Sequence, residues 1–135
     1  MRNLFLFSLI GLCLVLVGCG SGEAPLSNER LIESFQQGRT GIWVSAEGTV
    51  QNLLGDENID GTLQRFTIRL NDEVVLQIRH LVDESTRIPV ERGDTVRAQG
   101  YYTWDARGGF ISRTYADPDS PGGGGWVEHE GTRYD

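Results

Sequence analysis

A single apolar run near the amino terminus separates a targeting segment from the segment that can fold as a domain. Between Arg2 and Glu23 no side chain is charged, and residues 4–17 are almost wholly apolar. A basic start, an apolar stretch of about 14 residues and a small residue at its end are typical of a secretory signal. The run is shorter than the ~20 residues that a membrane-spanning helix needs. We therefore predict a signal peptide over residues 1–18.

The run ends in the tetrad Leu16-Val17-Gly18-Cys19, which resembles the lipobox of bacterial lipoproteins. The resemblance implies a diacylglycerol thioether on Cys19, cleavage before it, and acylation of the new amino terminus. Each buried acyl carbon adds ~0.8 kcal/mol of membrane affinity, so several chains hold firmly. Gly20, in place of a retention aspartate, implies a lipid-anchored protein of the bacterial cell envelope, in the outer membrane facing the periplasm. The alternatives are a soluble secreted protein with an incidental Cys19 and a non-cleaved anchor.

The segment left after cleavage contains no cysteine that could act in the fold. Cys13 leaves with the signal and Cys19 carries lipid, so disulfides and cysteine-based catalysis or metal binding are excluded there. Residues 19–27 are predicted to be a lipidated tether and residues 28–135 one domain. The chain has a net charge of −7 and no lysine. This acidity makes nucleic acid a less probable ligand, since its binding depends on neutralising phosphates.

The domain begins with a predicted helix and continues with predicted strands. Ser27 or Asn28 can cap a helix through Gln37, with Gly38 as its stop. From residue 40 the apolar period changes to two, and Gly48 indicates a bulge or bend in the first strand. The remaining predictions are a polar loop at 55–61, a hairpin at 65–80 turning at Asn71-Asp72, a loop at 81–92, strands at 96–102 and 110–115, and a tail at 126–134 that forms a small hairpin or lies across the barrel.

Five strands in this order resemble the OB-fold, a partly open Greek-key barrel. The prediction is an all-β protein, a small OB-like five-stranded β-barrel with a short N-terminal helix and a C-terminal tail. A β-sandwich or another small barrel is the alternative. Residues 40–134 also resemble a bacterial family of small exported proteins of unknown function, which implies no settled activity. The matching motifs are Gln64-Arg65-Phe66, Arg87-Ile88-Pro89, Gly93-Asp94, Gly100-Tyr101, Gly108-Gly109-Phe110-Ile111, Asp117-Pro118 and Gly125-Trp126-Val127-Glu128-His129 with Gly131 and Tyr134.

Two kinds of site are compatible with these residues. The first is a ligand-binding face on the outward side of the hairpin, because arginine forks suit carboxylates and phosphates and an aromatic ring can stack; its members are Arg65, Arg69, Arg79 and Trp104. The alternative is a small metal-assisted hydrolase or nuclease, whose ligands would have to converge through the fold; its members are His80, Asp83, Asp117 and His129.

The prediction favours a non-catalytic binding or assembly module. No cofactor is expected. The expected partners are the membrane, through the lipid, and an envelope protein, peptide or saccharide. No nucleophile-elbow motif and no phosphate-cradling loop is present in the sequence.

Overall fold

The computed structural model describes residues 26–135, so the predicted signal peptide, Cys19 and most of the tether lie outside the described residues. The described part is mostly β and contains one α-helix and one sheet of seven strands. No helix within it is long and apolar enough to cross a lipid bilayer. In chain order the elements are α1 (Asn28–Gln36), β1 (Ile42–Asn58), β2 (Thr62–Arg69), β3 (Val75–Leu81), β4 (Thr95–Thr103), β5 (Phe110–Ser112), β6 (Trp126–His129) and β7 (Thr132–Tyr134).

The helix forms where capping residues predict it and is held against β1 by hydrogen bonds. The Ser27 side chain accepts from the Arg30 amide at 3.3 Å, which satisfies one of the free N–H groups of the first turn. The Asn28 side chain donates to the Glu47 carbonyl at 2.7 Å and accepts from its amide at 2.8 Å. Leu31 is fully buried in the main core. The predicted packing helix is therefore confirmed.

The two halves of the long strand β1 pair with different strands. Its first half pairs with β4 from Ile42 to Thr49, and its second half pairs with β2 from Thr49 to Asn58, both antiparallel. A Cβ on Gly48 would lie 2.7 Å from the Arg69 carbonyl oxygen, so no larger residue fits without movement. The irregularity predicted at Gly48 lies slightly further along the strand, as a register shift between Val50 and Asn52, next to the point where the pairing passes from β4 to β2.

The pairings of the first five strands form a closed cycle. β2 pairs with β3, β3 pairs in parallel with β5, β5 pairs with β4, and β4 returns to β1. β6 pairs with the part of β4 that β5 leaves free, and β7 pairs with β6. Residues from every strand of the cycle supply the core, which is fully buried.

Three details differ from the sequence prediction. The sheet has seven strands rather than five, because the tail forms the hairpin β6–β7 that docks on β4. Residues 55–58 belong to β1 rather than to a loop, because two register shifts keep that half paired with β2 despite its polar composition. β5 ends at Ser112 because Arg113 adopts φ +56°, which interrupts an extended strand. The loop or single turn predicted at 81–92 is confirmed for residues 82–92, whereas Leu81 still belongs to β3.

Candidate ligand-binding site

The β2–β3 hairpin presents a polar row of side chains on its outer face. Its cross-strand pairs on that face are Arg65 with Arg79 and Thr67 with Gln77. The alternate residues, among them Phe66 and Ile78, are fully buried. Since successive side chains of a strand point to opposite faces, burying the apolar set places both arginines outside.

A cavity of about 370 Å³ lies on this outer face. The hairpin forms its floor, Leu54 of β1 forms one side, and the loop between β4 and β5 forms the other. We call it the arginine pocket. It is lined by Leu54, Arg65, Thr67, Val75, Leu76, Gln77, Arg79, Asp105, Arg107 and Gly109.

The three arginines of the pocket are incompletely neutralised. The Arg65 guanidinium lies 3.2 Å from the Glu57 carboxylate, and its Nε also donates to the Gly55 carbonyl at 2.8 Å. Arg79 and Arg107 form no ion pair within residues 26–135. Arg65 and Arg79 lie directly opposite each other on neighbouring strands, where like charges are unfavourable, and Glu57 compensates only the charge of Arg65.

Arg79 is held in place although it lacks an acidic partner. Its Nε donates to the Gln77 side-chain oxygen at 2.6 Å, and its guanidinium carbon lies 3.8 Å from the centroid of the Phe110 ring. A cation over an aromatic face gains about 0.5–1 kcal/mol at exposed sites. These contacts leave the terminal NH groups of the guanidinium available for a ligand.

The loop that carries Arg107 is fixed by two hydrogen-bonded groups. Asp105 Oδ1 accepts the backbone amides of Arg107 at 2.8 Å and Gly109 at 3.0 Å. The Tyr102 hydroxyl donates to the Gly108 carbonyl at 2.9 Å. Burial, aided by the charge of Asp105, raises the pKa of Tyr102 to about 12, so the phenol keeps its proton. The wall of the pocket is therefore preorganised.

Two of the four residues of the predicted ligand-binding face line this pocket, namely Arg65 and Arg79. Arg69 shares the outer face, but its guanidinium donates to the side chain of Gln51 and the carbonyl of Asn71 and does not line the cavity. Trp104 lies elsewhere, since its indole N–H donates to the Phe35 carbonyl at the end of α1 at 2.9 Å.

Sequence reasoning missed Arg107 and Asp105 as pocket residues. The stretch 105–109 reads only as a turn, and no local pattern indicates which neighbouring strand it covers. The backbone pairing decides this, because β5 runs parallel to β3 and the Gln77 amide donates to the Gly109 carbonyl at 3.0 Å.

The residues of the alternative metal site have separate partners. His80 is fully buried, with Nδ1 2.8 Å from the Thr114 hydroxyl and Nε2 3.0 Å from the Thr86 carbonyl. Because a carbonyl oxygen only accepts, Nε2 carries the proton and Nδ1 accepts from the hydroxyl. Asp83 accepts the Thr62 amide beside the β1–β2 turn.

The other two candidates lie in different parts of the fold. Asp117 accepts from the amide of Asp119 and the hydroxyl of Ser120 within its own turn, and these bonds lower the pKa of its carboxyl. His129 Nε2 lies 2.8 Å from Asp94 Oδ2. No three of the four candidates bring ligand atoms within 4.8 Å of one another in residues 26–135; the one group there that does is Asp94, His129 and Glu130.

Burial lowers the pKa of His80 below its ordinary value of 6.5, and this predicts a pH-dependent stability. As the pH falls below 6.5, His80 binds a proton in the unfolded chain but stays neutral in the folded protein. The free energy of unfolding therefore decreases towards acid, by at most about 1.4 kcal/mol per pH unit for this one group. Urea denaturation at pH 7.5 and pH 5.0 measures the effect. The variant His80→Gln should lose this part of the dependence and His129→Gln should keep it; the reverse result contradicts the assignment.

These observations define a small β-sheet protein with a preorganised, arginine-lined cavity on the outer face of one hairpin. Residues 14–135 match the family model described as Protein of unknown function (DUF3465). The chain therefore belongs to this uncharacterised family, which confirms the predicted membership in a family of unknown function. No curated protein matches the chain.

Proposed function

We propose that this protein is a lipid-anchored envelope protein whose OB-like barrel binds an anionic ligand in the arginine pocket, without catalysis. The observation that carries the proposal is that three arginines, Arg65, Arg79 and Arg107, line one cavity. The chain as a whole is acidic, with a net charge of −7, so general surface charge does not account for such a cluster.

The pairing of the strands supports an OB-like barrel. The cycle β1–β2–β3–β5–β4–β1 returns to its first strand, and the long β1 contributes to both sides of the closure. OB-folds bind their ligands over strands two and three, between the loop joining strands one and two and the loop joining strands four and five. The arginine pocket occupies the corresponding place, since the hairpin β2–β3 and the β4–β5 loop line it.

The electrostatics of the pocket favour an anion. Arg79 and Arg107 form no ion pair among the described residues, and Arg65 directly opposes Arg79 across the hairpin. An oxyanion bound between them would relieve the repulsion of the like charges and would accept hydrogen bonds from the planar forks. Since the Arg79 guanidinium is already held by Gln77 and Phe110, binding a ligand there costs little of that side chain's entropy.

Small-anion binding tests the proposal. We expect 10 mM pyrophosphate to raise the melting temperature of the full-length protein in detergent by about 3 °C or more, relative to chloride at equal ionic strength. The variant Arg79→Gln/Arg107→Gln should lose the shift. The control Arg39→Gln/Arg92→Gln removes the same charge from exposed positions outside the pocket and should retain it. An equal shift in both double variants, or none in the native protein, refutes anion binding in the pocket.

The proposed localisation depends on Cys19, which lies outside the described residues. The tetrad ending at this residue supports lipidation, and the proposed location is the outer membrane on its periplasmic side. The intact mass of the protein purified from bacterial membranes should correspond to a chain that begins at Cys19 and carries acyl groups. The variant Cys19→Ala should release the protein from the membrane fraction. An unmodified thiol on Cys19 refutes the lipid anchor.

A further inference from the structure

We propose that the ligand of the arginine pocket is an acidic saccharide, that is, a sugar chain bearing carboxylate or phosphate groups. This inference rests on the proposed binding function and narrows it to one ligand class. Three properties of the pocket support it. The pocket combines hydrogen-bond donors with an acceptor, the aromatic rings around it are already covered by other side chains, and its backbone is largely paired.

The pocket offers donors for an oxyanion and an acceptor for hydroxyl groups. The donors are the guanidinium groups together with the side chain of Gln77, whose oxygen is engaged by Arg79 so that its NH₂ remains. The acceptor is Asp105, which uses Oδ1 for both loop amides and keeps Oδ2 for a ligand. A sugar carries hydroxyl donors beside its acidic groups, and it therefore matches both sets. A bare anion such as pyrophosphate matches only the donors, because it has no hydroxyl group for the Asp105 carboxylate.

The remaining lining and the size of the cavity suit one or two sugar rings. Leu54 and Val75 contribute apolar surface against which the C–H groups of a ring can pack. The volume of about 370 Å³ is at the small end of ligand pockets, which span roughly 300–1,000 Å³. A folded partner protein would need a larger surface than this.

The site lacks the exposed aromatic rings on which the bases of a nucleic acid would stack. Single strands bind by laying bases on exposed aromatic rings. Phe110 is covered by Arg79 at 3.8 Å, Tyr101 by Arg113 at 4.9 Å, and Trp126 by Arg133 at 4.2 Å, each distance from guanidinium carbon to ring centroid. Trp104 is tied to α1 through its indole N–H. No ring lines the pocket itself.

The β2–β3 hairpin offers an acidic peptide little open strand edge at this site. Extended peptides commonly bind by adding a strand to a sheet edge, where main-chain hydrogen bonds supply the affinity. β2 is paired on both sides, with β1 and with β3. β3 is paired with β2 and, at Gln77 and Ile78, with β5. Most of the backbone of the hairpin at this site is therefore already paired, and side chains supply the groups that can recognise a ligand.

Isothermal titration of the full-length protein in detergent tests the inference. The probes are trigalacturonate, a phosphorylated trisaccharide, a neutral trisaccharide, hexaglutamate, oligo-dT and pyrophosphate. We expect at least one of the two acidic saccharides to bind tenfold or more tightly than the neutral one. The same saccharide should lose tenfold or more of its affinity in Arg79→Gln/Arg107→Gln and keep it in Arg39→Gln/Arg92→Gln.

The variant Asp105→Asn distinguishes binding of a saccharide from binding that depends on charge alone. Asparagine retains Oδ1 as acceptor for the two loop amides and replaces Oδ2 by an N–H donor. Removing the negative charge should strengthen pyrophosphate binding, whereas the lost acceptor for hydroxyls should weaken the acidic saccharide at least threefold. If both ligands bind more tightly to this variant, the saccharide assignment is wrong.

The outcomes separate this inference from the proposed function. If pyrophosphate binding depends on the pocket but neither acidic saccharide binds, or hexaglutamate or oligo-dT binds at least as tightly as they do, the saccharide class is wrong and anion binding stands. If no probe, pyrophosphate included, depends on Arg79 and Arg107, both proposals fail.

Discussion

Replacing Gln64 with alanine should lower the free energy of unfolding by about 2–4 kcal/mol. The Gln64 side chain donates to the Ile88 carbonyl at 2.7 Å and accepts the Ile88 amide at 2.8 Å. Both residues are buried, so alanine would leave a backbone donor and a backbone acceptor without partners. Each unsatisfied buried group costs about 1–3 kcal/mol. Urea denaturation measures the loss.

A matched change at an accessible glutamine gives the control. Gln51 is half-buried on β1, and its side chain accepts from Arg69 at 3.2 Å. Gln51→Ala should change the free energy of unfolding by no more than about 0.5 kcal/mol, as surface substitutions usually do. A loss below about 1 kcal/mol for Gln64→Ala would show that the loop after β3 is held by other contacts.

The second large effect is expected at Gly108, in the loop that forms the wall of the arginine pocket. Its φ is +130°, and a Cβ there would overlap the Val75 carbonyl. Alanine would add backbone strain of about 1–3 kcal/mol and a steric clash of about 1–3 kcal/mol. Gly108→Ala should therefore reduce the free energy of unfolding by about 2–6 kcal/mol. It should also weaken pyrophosphate binding, because the loop must move away from β3.

Gly93 offers a control in which only the backbone strain is present. Its φ is +90°, and a Cβ there would meet nothing within 4 Å. Gly93→Ala should cost about 1–2 kcal/mol and leave pyrophosphate binding unchanged. Denaturation curves and titrations of the two variants compare them. Equal losses of stability in both variants would show that the contact with Val75 does not matter.

The contacts of Gln64 explain why separate sequence motifs belong together. Gln64-Arg65-Phe66 and Arg87-Ile88-Pro89 are two of the motifs on which the family resemblance is based, and the structure joins them through the side chain of Gln64. Asp94 and His129, from two further motifs, also lie in contact at 2.8 Å. These contacts hold loops and strands to each other.

Local pattern predicted the elements whose neighbours in sequence determine their shape. The capped helix and the β2–β3 hairpin follow from capping groups and from an apolar period of two. The same period placed Arg65 and Arg79 together on the outer face, because the strands pair in register with their apolar residues inside. These are short-range consequences of covalent geometry and of burying apolar surface.

By itself, the sequence determined the predominance of strands, the faces of the hairpin and two arginines of the pocket. Only the tertiary structure decided that β1 continues through a polar stretch, that the tail docks on β4, and that Arg107 and Asp105 approach the hairpin. Each of these depends on a pairing between residues distant in the chain, and hydrogen bonding between distant strands leaves no periodic signal in either partner. For the same reason the sequence does not show that His80 and His129 lie apart. His80 contacts Thr114 and His129 contacts Asp94, and both contacts depend on how distant strands pack.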